Sequence, residues 1–175
     1  MFSIFVMDTK FKITDDSGFL AIANPETYNS FVGEDWDLPH LMSRFIDEMN
    51  KDALIIWSTG SSGEWTVLFA DKPTNKRSFR EFEKTITVTE EKLCLTNYED
   101  LTMAAQFEND KIPAKHNSDL LIKLENGQYK FTVRQMFDPD DFDYDSGRDV
   151  NFEIILQSIN DIKIQKADKV FWMTE

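Results

Sequence analysis

The sequence is poor in the residues that most often carry chemistry. Among its 175 residues are one cysteine, Cys94, and two histidines, His40 and His116. A lone cysteine excludes an intramolecular disulfide and fits a reducing compartment. One Cys and two His fall short of the four Cys or His ligands of the usual structural zinc site. Cys94 lies in the alternating run KLCLTN and reads as a small core residue, not a nucleophile. His40 has Asp37 and Ser43 at i−3 and i+3, and those three cannot converge as base, orienter and nucleophile on one short helix. His116 sits in a polar loop without a recognisable partner. The GSSGE stretch at 60–64 has neither GxSxG spacing nor a Gly-Lys-Ser/Thr phosphate loop. No metal or other cofactor is expected from these residues.

Long apolar runs are also missing. No window approaches the roughly 18 apolar residues of a spanning helix. No Asn-x-Ser/Thr acceptor occurs. The opening MFSIFVMDTKFK has an apolar run without a basic leader, broken by Asp8, and reads as a first strand and not a signal peptide. No repeat, low-complexity linker or shift in composition divides the chain, so residues 1–175 are expected to form a single domain.

Positive charge is scarce. Lys and Arg total 19 against 32 Asp and Glu, a formal charge of −13. A field of that sign repels nucleic acid and anionic membranes, so neither is expected as a partner. It attracts basic proteins and cations and speeds their encounter. An acidic cytoplasmic protein is the plainest reading.

What the chain does have is aromatic, alternating sequence, with fifteen Phe, four Trp and four Tyr. FSIFVM, FLAIAN, ALIIWST, EWTVLFAD, KTITVT, KLCLTN, DLLIKLE, YKFTVRQMF and NFEIILQSI all read as strands. Turn signals separate them. Asn126-Gly127 between two alternating runs predicts a type I′ hairpin. GSSG at 60–63 should join its flanking strands in the same way, and TVTEEKLCL suggests a tight turn at Glu90-Glu91. In DLPHLMSRFIDEMNK, the residues Leu38, Leu41, Met42, Phe45 and Met49 form one helical stripe, with Asp37 as N-cap and Pro39 in the first turn. These elements predict a mainly β fold, an antiparallel β-sandwich with one amphipathic helix at about 37–50.

One stretch stands out. MFDPDDFDYDSGRD, residues 136–149, holds six aspartates. Asp141, Asp143 and Asp145 have the 1, 3, 5 spacing of a calcium loop, but Gly147 and Glu153 each fall one position late, at 7 and 13. A calcium-dependent β-sandwich module for carbohydrate or protein therefore stays open. A carboxylate pair for glycoside hydrolysis can also be drawn, but nothing selects one. As a protein interface, the acids interleave with aromatic anchors: Asp138, Asp140, Asp141, Asp143 and Asp145 with Phe142 and Tyr144. A second patch has the same character, with Glu34 and Asp35 beside Trp36. The bland alternative makes both patches solvated loops whose aromatics tuck back onto the core.

Between residues 53 and 137 the chain resembles the ComJ family, small competence-associated proteins that inhibit a partner nuclease. The resemblance runs through the strand pair ALIIWSTGSSGEWTVLFAD, then FREFEKTITVTEEKLCLTN, then DLLIKLENGQYKFTVRQ with its Gly-x-Tyr turn. EDWDLPHLMSRFIDEM sits where that family has an acidic helix. The match is one of pattern, and this chain is longer, with extra length in FDPDDFDYDSGRD and at the C-terminal end. The resemblance implies a β-sandwich-like fold, no catalysis, and a role as a nuclease inhibitor or toxin-immunity protein. Its partner would then be a basic toxin, with carboxylates placed where phosphates would lie.

Overall fold

The computed structural model describes residues 8–141, 149–160 and 166–174. It is built in three layers. A five-stranded sheet contains β1 (Thr9–Asp15), β4 (Gly63–Ala70), β9 (Phe152–Ile159), β8 (Gly127–Gln135) and β5 (Arg80–Val88), in that order. It faces a four-stranded sheet of β3 (Leu54–Ser58), β2 (Phe19–Ala23), β6 (Lys92–Asn97) and β7 (Leu121–Lys123). Helices α1 (Leu38–Asn50) and α2 (Tyr98–Gln106) cover the outer face of the smaller sheet. The mainly β, two-sheet expectation is met. Pairing is antiparallel except between β4 and β9, which run parallel with Val67 opposite Phe152.

Alternation explains the layering. Phe11 and Ile13 of β1, Trp65, Val67 and Phe69 of β4, Phe131 and Val133 of β8, and Phe152 and Ile154 of β9 point between the sheets. There they meet Leu20, Ile22, Ile55, Trp57, Leu93 and Leu95 of the smaller sheet. Trp57, Trp65, Phe69, Phe131 and Phe152 have no solvent exposure. Each such side chain contributes about 1.5–3 kcal/mol by burial. The opposite alternation of the smaller sheet is apolar too: Ala21, Ala23, Leu54, Ile56 and Cys94 pack beneath Leu41, Phe45 and Met49 of α1 and Leu101, Ala104 and Ala105 of α2. A sheet covered on both faces must be apolar on both alternations. This is why FLAIAN and ALIIWST read as nearly continuous apolar runs.

The structure corrects several expectations. Asn126-Gly127 and GSSG do not close hairpins within a sheet, and the tight turn expected at Glu90-Glu91 is found but does not pair its two strands either. Each carries the chain from one sheet to the other, between β7 and β8, β3 and β4, and β5 and β6. Alternation says which side chains face inward, and both sheets face the same core, so it does not distinguish a hairpin from a corner. The β5–β6 and β7–β8 corners are tied together by the Glu91 N–H, which donates to Asn126 Oδ1 at 2.7 Å. The expected strand at 2–7 lies outside the described residues, and β1 begins at Thr9.

Helix α1 starts as expected, with the Asp37 carboxylate accepting from the His40 N–H at 2.9 Å. Helix α2 was not expected. Its N-cap Asn97, which accepts from the Asp100 N–H, is also the last residue of β6, so no turn signal separates strand from helix.

Candidate functional site

Several corners of the sandwich converge at one end, and polar side chains close it. Asp15, at the end of β1, is fully buried. Its Oδ1 accepts from the N–H groups of Ser17, Gly18 and Phe19, at 3.1, 2.6 and 3.0 Å. Its Oδ2 accepts from the Thr59 hydroxyl at 2.7 Å and from Trp65 Nε1 at 3.2 Å. Gln135, at the end of β8, donates from Nε2 to Thr59 O at 2.8 Å. Arg80, at the start of β5, donates from Nε to Gln135 Oε1 at 2.6 Å and from Nη2 to Ser58 O at 3.3 Å. The chain of bonds therefore bridges both sheets, and it satisfies the buried side chains of Asp15, Thr59 and Gln135.

The acidic segment rests on this end. Phe137 is buried and stacks on Trp65, with ring centroids 4.9 Å apart. Pro139–Asp141 then form a 3-10 turn. Asp138 Oδ1 accepts from the Asp140 N–H at 2.9 Å. Pro139 packs against Gly60 so closely that a Cβ at Gly60 would lie 2.6 and 2.8 Å from its ring carbons. Asp140 and Asp141 are exposed and Asp138 is half-buried. Arg80 feels two of these charges: burial lowers its pKa from the ordinary value, while Asp138 and Asp140 oppose that shift. At the far end of the segment, Asp149 pairs with Lys10 of β1 at 2.7 Å. The Lys10 hydrogen bond, with the lysine's charge, holds the Asp149 carboxyl below its usual range. The other residues expected here, Phe142, Asp143, Tyr144 and Asp145, lie outside the described residues.

The second patch is built differently. Glu34 and Asp35 are exposed, whereas Trp36 is half-buried and packs against the helix-side core. The segment is fastened to α2 through the Gly33 N–H, which donates to Ala105 O at 3.0 Å. The structure therefore does not bring the two acidic patches into one bonded network: one sits on the sandwich end, the other on the helical layer.

The remaining chemical candidates find structural employment. The Cys94 thiol is buried, and burial pushes its pKa up to about 12. His116, to which the sequence assigned no partner, bonds through Nε2 to Asp100 Oδ1 at 2.9 Å. Asn117 donates to the other oxygen of the buried Asp100 at 2.7 Å, so this carboxylate fastens the 115–117 turn to the start of α2. The partners were hidden because Asp100 belongs to the helix that the strand pattern concealed. Glu153, the late acid of the calcium pattern, is not available as a ligand. It is buried on β9, where Arg134 Nη1, the Thr74 N–H and the Thr74 hydroxyl all bond its carboxylate. Among the described residues no three His, Cys, Asp or Glu side chains are grouped to hold a metal ion. Among them, too, no helix is long and apolar enough to cross a membrane.

Sequence comparison gives no match to a protein-family model or to a curated protein. Structural comparison does. The chain is similar to crocagin biosynthetic protein J, with a TM-score of 0.55 and 8% identity over 91% of this chain and 100% of that one. It is also similar to ComJ from Bacillus subtilis, an inhibitor of the DNA-degrading activity of NucA, with a TM-score of 0.50 and 12% identity over 89% of this chain and 99% of that one. The fold is ComJ-like, as the resemblance at 53–137 implied, and the likeness extends well beyond that region.

Proposed function

We propose that this protein is a non-enzymatic inhibitor of a basic partner, a nuclease, and that it works as an immunity protein in the cytoplasm. The observation that carries the reading is the ComJ-like fold, shared along nearly the full length with an inhibitor of a DNA-degrading activity. The charge of −13 supports it. A nuclease cleft is lined with cations that hold phosphates, and carboxylates on a rigid seat compete for them without offering a bond to cleave. Close charge pairs across such interfaces couple by about 1.5–7 kcal/mol, and long-range attraction raises the association rate. Asp138, Asp140 and Asp141 fit this role because their turn is anchored by Pro139 and Phe137, so little ordering is needed on binding.

The test is direct. The full chain is immobilised, host lysate is applied at low salt, and salt-eluted protein is assayed for DNA cleavage with and without added inhibitor. A cleaving eluate silenced by stoichiometric protein is the expected result. An eluate whose DNA cleavage is insensitive to the protein, or which contains no nuclease from a host shown to express one, refutes the reading.

A further inference from the structure

Four large apolar side chains stand exposed among the described residues: Leu38, Phe79, Met103 and Phe107. Phe79 differs in its company. It is 49% exposed at the mouth of the closed sandwich end, where its N–H donates to Gln135 O at 2.8 Å. The guanidinium carbon of its neighbour Arg80 lies 5.7 Å from the Phe79 ring centroid and 4.3 Å from that of Trp172. Two aromatic faces thus flank one cation, and Asp138 and Asp140 lie close enough to act on its charge.

The platform is held from below. Phe171 stacks on Phe82 of β5, with centroids 3.9 Å apart and planes within 8°. Phe171 O accepts from the Ser58 N–H at 2.8 Å, so the C-terminal segment adds to the edge of β3. Trp172, at φ 63, turns back from this strap and meets Phe82 edge-on at 4.9 Å. A non-glycine residue in the left-handed region persists only where its surroundings hold it. Here strap, strand and guanidinium do so, and the indole is set in place before any partner arrives.

We infer that the surface formed by Phe79, Arg80 and Trp172, rimmed by the 138–141 turn, is the centre of the partner-binding face. Its occupant is a basic protein segment that sets an arginine or lysine against Asp138, Asp140 and Asp141 and an apolar side chain against Phe79. The basic character of the partner rests on the inhibitor reading, and the charge of −13 selects it over an acidic or neutral one. Tryptophan, arginine and aromatic anchors within a charged rim are the composition in which binding energy concentrates. Among Arg80, Asp138, Asp140 and Asp141 three carboxylates stand against one guanidinium, so an incoming cation meets net negative charge there.

The probe is a short peptide alternating arginine and leucine, titrated into isotopically labelled full-length protein and followed by NMR, with a glutamate–leucine peptide as control. Saturable shifts at residues 79–80, 138–141 and the Trp172 indole are expected. Phe79→Ser, at an exposed position, should weaken binding by roughly tenfold while leaving the rest of the spectrum unchanged. Shifts centred on Glu34–Trp36 or on Met103 and Phe107, shifts spread over the whole acidic surface, or no binding, overturn the inference. The two readings fail separately. Full nuclease inhibition by Phe79→Ser removes this surface and keeps the inhibitor. Peptide binding here without inhibition of any nuclease keeps the surface and removes the inhibitor.

Discussion

The two acidic turns carry similar charge on different foundations. At 138–141, the turn rests on Gly60 and Trp65-stacked Phe137, beside a guanidinium that bridges the two sheets. At 34–37, Asp37 is committed to capping α1 and Trp36 lies against the helix-side core. Counting aspartates does not separate these cases. What separates them is what lies underneath: one turn presents carboxylates from a rigid polar seat with an exposed aromatic at its edge, and the other starts a helix.

The strongest test of that difference exchanges glycines. Gly60 has φ +83, and a Cβ there would strike the rigid Pro139 ring at 2.6 Å, whereas Gly33 has φ +155 and nothing within 4 Å of its Cβ position. Gly60→Ala should cost about 2–3 kcal/mol in a thermal or urea melt. Gly33→Ala should cost about 1 kcal/mol, from backbone conformation alone. Equal losses would show that the acidic turn is not seated on Gly60.

Next in size is the electrostatic contrast. Neutralising Asp138, Asp140 and Asp141 together to Asn should slow association with the captured nuclease by about tenfold at low salt and flatten its salt dependence. Glu34→Gln with Asp35→Asn should change the rate by about twofold at most, since rim charges remote from a contact act only through the screened field. The opposite ranking in stopped-flow measurements would move the interface to the helical layer. A smaller effect sharpens the role of Asp37. Asp37→Ala should cost about 1 kcal/mol of stability by removing the N-cap, with no change in association. The smallest expected effect is that of calcium: melting temperatures in calcium and in chelator should coincide, because Glu153 is engaged by Arg134 and Thr74. A calcium-dependent rise would reinstate a metal loop through linkage of binding to folding.

Much of this was legible in the chain. Leu41, Phe45 and Met49 mark the buried stripe of α1, and Asp37 marks its start. The alternation of EWTVLFAD, YKFTVRQMF and NFEIILQSI marks strands with one face in the core. The acidic segment announces itself by composition. The platform did not. Phe79 and Arg80 sit between a polar connector and a strand, and Trp172 lies at the far end of the chain in a segment without alternation. Helix α2 was hidden because its cap doubles as a strand residue, and the hairpin signals proved to be corners because turn chemistry specifies a reversal without saying which sheet receives the next strand.

Residue counts and periods of two and 3.6 were enough to read a mainly β chain with a helical cover, a strongly negative charge, and the impossibility of an intramolecular disulfide or a four-ligand Cys/His zinc site within these residues. Closure of the fold set which strands became neighbours, where β9 inserted in parallel beside β4, and how Gly60, Arg80, Pro139 and Trp172 came together. Those contacts join residues separated by dozens of positions in the chain. They depend on how two sheets close over a shared core, and no local pattern encodes that closure.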